Sequence, residues 1–169
     1  KYRIEESIGV GGFSEVFRAT HIAMSRPVAI KIFDARRQYL SDPERAKRYA
    51  RHFQREAHLV SKLQHPNTVT IFDYGVHPGG KLYLVMEFIL TEILAQEKQL
   101  SEQRTLALFL QVLASLEEAH HRGILHRDLK PANIMVTATF KGEEQVKVLD
   151  FGIAQLANQQ QQHERSSSA

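Results

Sequence analysis

His126-Arg127-Asp128-Leu129-Lys130-Pro131-Ala132-Asn133 is the stretch on which the reading turns. It places an acid, a lysine two residues on and an asparagine five residues on in one tight loop. The acid can accept a hydroxyl proton and the lysine can neutralise a phosphate. The asparagine amide oxygen can bind a hard cation such as Mg²⁺. A surface loop of mixed charge is the plain alternative. It fits poorly, because Ile124 and Leu125 precede the loop and Ile134, Met135 and Val136 follow it. Further along, Asp150-Phe151-Gly152 comes directly after an apolar run at 146–149. An acid at a strand end, followed by a glycine hinge, suits a second ligand for the same cation. A strand-terminating turn is the plain alternative there.

Upstream, Gly9-Val10-Gly11-Gly12-Phe13-Ser14-Glu15-Val16 lies between two expected strands. Glycines let the backbone approach phosphates and point amides at their oxygens. A strand follows, not the helix of a dinucleotide-binding fold, which argues against NAD. On its own the stretch also reads as a glycine-rich hairpin. In Val28-Ala29-Ile30-Lys31 a lysine sits in a strand of small and branched residues, and such a half-buried cation needs an anion. The anion is either a phosphate or a carboxylate such as Glu56 on the next helix. An ordinary structural ion pair is the plain alternative.

The rest of the chain supplies the frame. Residues 2–33 read as short strands with a turn-rich stretch at 7–12. Ser41-Asp42-Pro43-Glu44 starts a helix that runs to about Leu63, with Phe53, Ala57, Val60 and Leu63 on one face. His65-Pro66-Asn67 stops it. Strands are expected at 69–74 and 81–88, then a short helix near 91–97. A longer helix runs from an N-cap at Ser101 to Gly123, with Leu106, Phe109, Leu110, Leu113, Leu116 and Glu117 as its periodic, mostly apolar face. Strands at 133–137 and 146–149 follow. From Ala157 the chain has almost nothing to bury and is expected to be flexible.

The 169 residues hold 22 Lys plus Arg against 19 Asp plus Glu, with 43% hydrophobic residues and no cysteine. That excludes disulfides, thiolate zinc sites and cysteine nucleophiles. It also excludes a disordered or collagen-like chain. No apolar run is long enough to span a membrane. Between Asp34 and Lys62 eight basic residues face four acidic ones. This reads as a solvated helix face, since only Tyr39, Tyr49 and Phe53 accompany the charge. No nucleic-acid partner is expected.

In order and spacing, these motifs resemble the eukaryotic-like serine/threonine protein kinases found in bacteria. The resemblance covers residues 2 to about 156, and Lys130, two positions after Asp128, marks the serine/threonine class. It implies an α+β, protein-kinase-like two-lobe fold. The N-lobe, an antiparallel sheet plus helix C, takes residues 1–89 with the hinge. An incomplete helical C-lobe takes 90–156, and a flexible start of the activation segment takes 157–169. It implies a non-specific serine/threonine protein kinase that transfers the γ-phosphate of ATP to protein hydroxyls, with ATP and Mg²⁺ as cofactors. In that pattern Gly9, Val10, Gly11 and Gly12 form the lid on the phosphates. Val16 and Ala29 cover adenine from above and Met135 from below. Lys31 holds the α- and β-phosphates and is held by Glu56. Met86 is the gatekeeper, and the backbone of Glu87 and Ile89 meets the adenine edge. Asp128 is the catalytic base and Lys130 steadies the transferring phosphoryl group. Asn133 and Asp150 ligate Mg²⁺, and Val60, Ile71, His126 and Phe151 form a regulatory apolar stack. Arg127 beside the base, with His52 one turn before Glu56, implies activation by phosphate on the activation segment. Autophosphorylation or dimerisation comes with the family, as does a cytoplasmic location, with a membrane anchor outside this segment left open.

The sequence also departs from that pattern. Ser14 stands where the family has a third glycine. Leu90-Thr91-Glu92-Ile93-Leu94 follows the hinge at once, without the usual glycine-containing spacer. The chain stops within the activation segment, and it opens at Lys1, so its true start is expected upstream. The truncation keeps a non-catalytic, ATP-binding pseudokinase-like module as the alternative. A small-molecule phosphotransferase of the aminoglycoside-kinase type is opposed by Arg127, Lys130 and Phe151.

Overall fold

The computed structural model describes residues 1–11, 14–33, 42–89 and 100–151. They fall into two compact units, one from Lys1–Ser61 and Ile71–Phe88, the other from Lys62–Thr70 and Ile89–Gln155.

The first unit is a five-stranded antiparallel sheet in the order β1-β2-β3-β5-β4, with one helix. The strands are β1 (Tyr2–Val10), β2 (Ser14–His21), β3 (Arg26–Phe33), β4 (Ile71–Val76) and β5 (Leu82–Glu87). Val28, Ala29, Ile30 and Lys31 are all buried in β3. A central strand is covered on both faces, so it reads as a continuous apolar run rather than an alternation. On one face Ala19, Val28, Ile30 and Val85 cluster, with Tyr2, Ile32 and Tyr83 packed against them. The turn expected at 7–12 is instead strand as far as Val10. The β1–β2 ladder carries through Ser7 and Gly9, with register shifts between Ile4 and Glu6 and between Ser7 and Gly9. Such irregularities absorb the glycines without ending the pairing.

Helix α1 (Pro43–Val60) starts where Asp42 accepts from the backbone N–H groups of Glu44 and Arg45. That satisfies two of the donors a helix start leaves open. Tyr49, Phe53, Ala57 and Val60 are buried along one stripe, and Phe53 meets Phe33 edge-on at 5.3 Å between ring centroids. Full burial of a side chain such as Phe53 stabilises by about 1.5–3 kcal/mol. The short helix expected near 91–97 lies outside the described residues, as does 157–169.

The second unit is built on helix α2 (Glu102–His121), capped by the Ser101 hydroxyl, and on the two-stranded sheet β6 (Ile134–Ala138) and β7 (Glu144–Val148). The sequence selects Leu106, Phe109, Leu110, Leu113, Leu116 and Glu117 as one mostly apolar face of α2. Among the described residues Leu106, Phe109, Leu110, Leu113 and Glu117 are exposed and Leu116 is half-buried, while Leu108, Val112, Ser115 and Ala119 are buried. The helix carries two apolar stripes, and within this chain the one with the smaller residues is covered. Segment 62–70 packs in this unit. Val148 donates to Asn67 O and Val69 donates to Val148 O, which makes Thr68 a parallel neighbour of β7.

Candidate active site

The loop 126–133 is held from several directions. His126 is buried at 4% exposure. Its Nε2 lies 2.7 Å from Leu149 O and its Nδ1 3.3 Å from the Asp128 amide. A neutral imidazole, donating at Nε2 and accepting at Nδ1, satisfies both. Burial pushes its pKa below the ordinary histidine value, which keeps it neutral. The ring also stacks obliquely on Phe151, with centroids 4.7 Å apart.

Asp128 is half-buried. Lys130 Nζ donates to its Oδ2 at 2.8 Å, and Asn133 Nδ2 donates to its backbone oxygen at 2.8 Å and to Oδ2 at 3.3 Å. The Lys130 hydrogen bond is the main reason its carboxyl lies below the usual carboxylate range, and Asn133 adds to it. Arg127, which precedes it, has φ +61° and Asp150 has φ +57°. Left-handed backbone is uncommon for residues with a side chain and persists only where the surroundings fix it. Here the fixing bonds are on either side: Asp128 N to His126 O at 2.8 Å, and Leu149 N to Asn133 O at 2.8 Å. The second bond sets Asn133, itself buried, beside the strand end that carries Asp150. Met135 follows on β6, opposite Lys147.

In the first unit, strand register gathers the other sequence-selected residues on one sheet face. Gly9 pairs with Val16, Val16 with Lys31, and Lys31 with Leu84. Two residues along, Ala29 pairs with Met86. Directly opposed residues share a face, and so do residues two apart. Val16, Ala29, Lys31 and Met86 therefore look the same way, with Lys31 only 8% exposed. Val10 pairs with Glu15 and is 81% exposed. Gly11 N donates to Ser14 O at 2.7 Å, and Gly12 lies outside the described residues. Glu87 ends β5, and Ile89 follows two residues later. Glu56 sits half-buried on α1. Lys31 has an interaction partner, but the ion pairs among the described residues do not include a Lys31–Glu56 bridge. His52, one turn before Glu56, is exposed.

A protein kinase domain model matches residues 2–169. This chain belongs to the protein kinase domain family. The kinase chain is 42% identical over 162 residues to the serine/threonine-protein kinase pkn3 of Myxococcus xanthus, covering 94% of this chain and 28% of that protein. It is 37% identical over 161 residues to the serine/threonine-protein kinase PknB of Mycobacterium tuberculosis, covering 91% and 24%. The crystal structure of the Mycobacterium tuberculosis PknI kinase domain superposes with a TM-score of 0.73 at 28% identity, over 90% of this chain and 60% of that one. The chain thus spans about a quarter of the length of these curated relatives. The two-lobe, kinase-like fold expected from the sequence agrees with that likeness.

The sequence reading missed a set of polar residues that join segment 62–70 to α2 and β7. Asn67 Nδ2 donates to Gln111 Oε1 at 2.8 Å and to Val146 O at 2.9 Å. Thr68 and Ser115 share a buried hydroxyl pair at 2.7 Å. Glu118 accepts from the backbone of Gln64 and His65. A signal was present: Gln111 and Ser115 are the two polar residues, about one turn apart and in line with Leu108, within the otherwise apolar middle of the helix at 106–116.

Proposed function

We propose that this chain is part of the catalytic domain of a serine/threonine protein kinase, transferring the γ-phosphate of ATP to serine and threonine hydroxyls of proteins. The observation that carries it is the Asp128 carboxylate, held at once by Lys130 Nζ and Asn133 Nδ2. In this reading Asp128 stays ionised and accepts the hydroxyl proton of the substrate, while Lys130 stands beside the transferred group. Positioning and charge neutralisation supply most of the rate in such transfers.

The remaining roles follow the family pattern. Gly9, Val10, Gly11 and Gly12 cover the phosphates. Val16, Ala29, Met86 and Met135 enclose adenine, whose edge meets the backbone of Glu87 and Ile89. Lys31 holds the phosphates, with Glu56 as its partner in the active arrangement. The donor set also fits Mg²⁺. The amide nitrogen of Asn133 is used on Asp128, which leaves its oxygen as the atom on offer, and Asp150, the residue after the Leu149 that donates to Asn133 O, supplies the carboxylate. Both are the hard oxygen donors Mg²⁺ takes. Bound there, the ion would neutralise charge on the ATP phosphates. Serine/threonine kinases among the relatives support the catalytic reading over a non-catalytic module. Autophosphorylation or dimerisation and a cytoplasmic location belong to the same proposal; for the membrane, no described helix is long and apolar enough to cross one.

The test is Asp128→Asn in the complete enzyme. Turnover should fall by about 10²–10⁴-fold, the usual contribution of a general base. Mg²⁺-ATP affinity by calorimetry should stay near wild type, because the base meets the hydroxyl and not the nucleotide. Wild-type turnover in this variant would sink the assignment.

A further inference from the structure

Strand β7 has two edges. One pairs with β6, and no strand of the described residues covers the N-terminal half of the other. Its backbone groups are nonetheless bonded in sequence. Gln111 Nε2 donates to Glu144 O at 3.2 Å, and Gln111 Oε1 accepts from Val146 N at 2.9 Å. A residue in a neighbouring parallel strand makes this same pair of bonds, one to the oxygen before its partner and one to the amide after it. The side-chain amide of a helix residue therefore stands in for a strand, opposite Gln145. Asn67 Nδ2 takes the next group, Val146 O. The backbone at 67–69 takes Val148, and Leu149 is held on the β6 side instead, by Asn133 just before β6 and by His126. Asp150 is the next residue.

The geometry points to Gln111 as a positioning residue for Asp150. Its Oε1 accepts from Asn67 and from Val146 together, so it ties the side chain that completes the edge to the strand itself. Remove it, and the Val146 amide loses its acceptor while Asn67 keeps only one of two. The end of β7 is then less constrained, and with it the left-handed Asp150. Ligands held by fewer outer partners bind their ion more weakly. The inference rests on the reading of Asp150 as a Mg²⁺ ligand.

The experiment measures, on the complete enzyme, the free Mg²⁺ concentration that half-saturates the ATP-bound protein in a calorimetric titration, and kcat at saturating Mg²⁺. Gln111→Met keeps the volume and removes all three hydrogen bonds. Because Gln111 acts through the strand and not on Asp150 directly, this variant should raise the Mg²⁺ midpoint by up to about tenfold, the lower end of the cost of losing a ligand's direct outer partner, with a smaller change in kcat. Gln111→Glu keeps the acceptor for Asn67 and Val146 and should return the midpoint towards wild type. A purely structural role would reduce the folded fraction and leave the midpoint where it was, and that result overturns the inference. Should Gln111→Met not fold, Gln111→Asn carries the test, since it has the same chemistry but is one methylene too short to reach β7. An unmoved midpoint there is equally fatal. Asp150→Asn separates the two levels. If it retains Mg²⁺-dependent turnover like wild type, the ligand reading falls and the inference with it. If it is inactive while the Gln111 variants keep the wild-type midpoint, the positioning role alone falls.

Discussion

Asp128 and His126 sit two residues apart and have both pKa values lowered, for opposite reasons. For Asp128 the Lys130 hydrogen bond stabilises the charged form; for His126 burial disfavours the charged form. An NMR titration should therefore place the Asp128 carboxyl below its ordinary value of 3.8, and Lys130→Met should bring it back up towards that value. A midpoint unmoved by the substitution would show that Lys130 is not the cause. His126 has a depressed folded pKa, so its stabilising contribution is complete above the unfolded value of 6.5. It is lost as the pH falls from there through the folded pKa. Urea unfolding at pH 7.5 and 5.5 should show a loss of stability on acidification that shrinks in His126→Phe. Asp128, Lys130 and Asn133, which hydrogen bonds join in the structure, could be grouped from the sequence because they lie in one short contiguous run. The left-handed backbone of Arg127 was not legible there, since nothing in its side chain asks for it, and at Asp150 the tolerance of aspartate for that region permits it without demanding it.

At the level of elements, the strands of the first unit could be read from their branched and aromatic residues, and α1 from its cap and apolar spacing. α2 could be found but not oriented. Its sequence offers two apolar stripes, and periodicity cannot say which one a partner covers. The β4–β5 pair gives a sharper case. Gly75 pairs with Tyr83, and a Cβ added at Gly75 would lie 2.9 Å from Tyr83 Oη and 3.1 Å from Cζ. Gly75→Ala should thus cost about 1–3 kcal/mol, the range for overpacking a filled position, read as a lower urea midpoint. A double variant with Tyr83→Leu should recover much of that loss, because the ring that blocks the methyl is gone.

For the molecule as a whole, a boundary drawn in sequence order has no means of placing Lys62–Thr70. Its flanks belong to the first unit, while its hydrogen bonds run to Gln111, Ser115, Glu118 and Val148, all more than 40 residues away. Such pairings depend on chain reversal and leave no local pattern. The nucleotide reading makes a global prediction: Mg²⁺-ATP at a hundred times its Kd should stabilise the complete kinase by about 2.7 kcal/mol. Thermal unfolding followed with and without the ligand measures it, and no rise at millimolar ligand would count against the site. The closing of β7 has a consequence for synthesis. A bare strand edge invites another chain to pair with it, and nascent chains are most exposed to that hazard. Asn67 and Gln111 both leave the ribosome before the first residue of β7 does, so the cover is made ahead of the edge it closes.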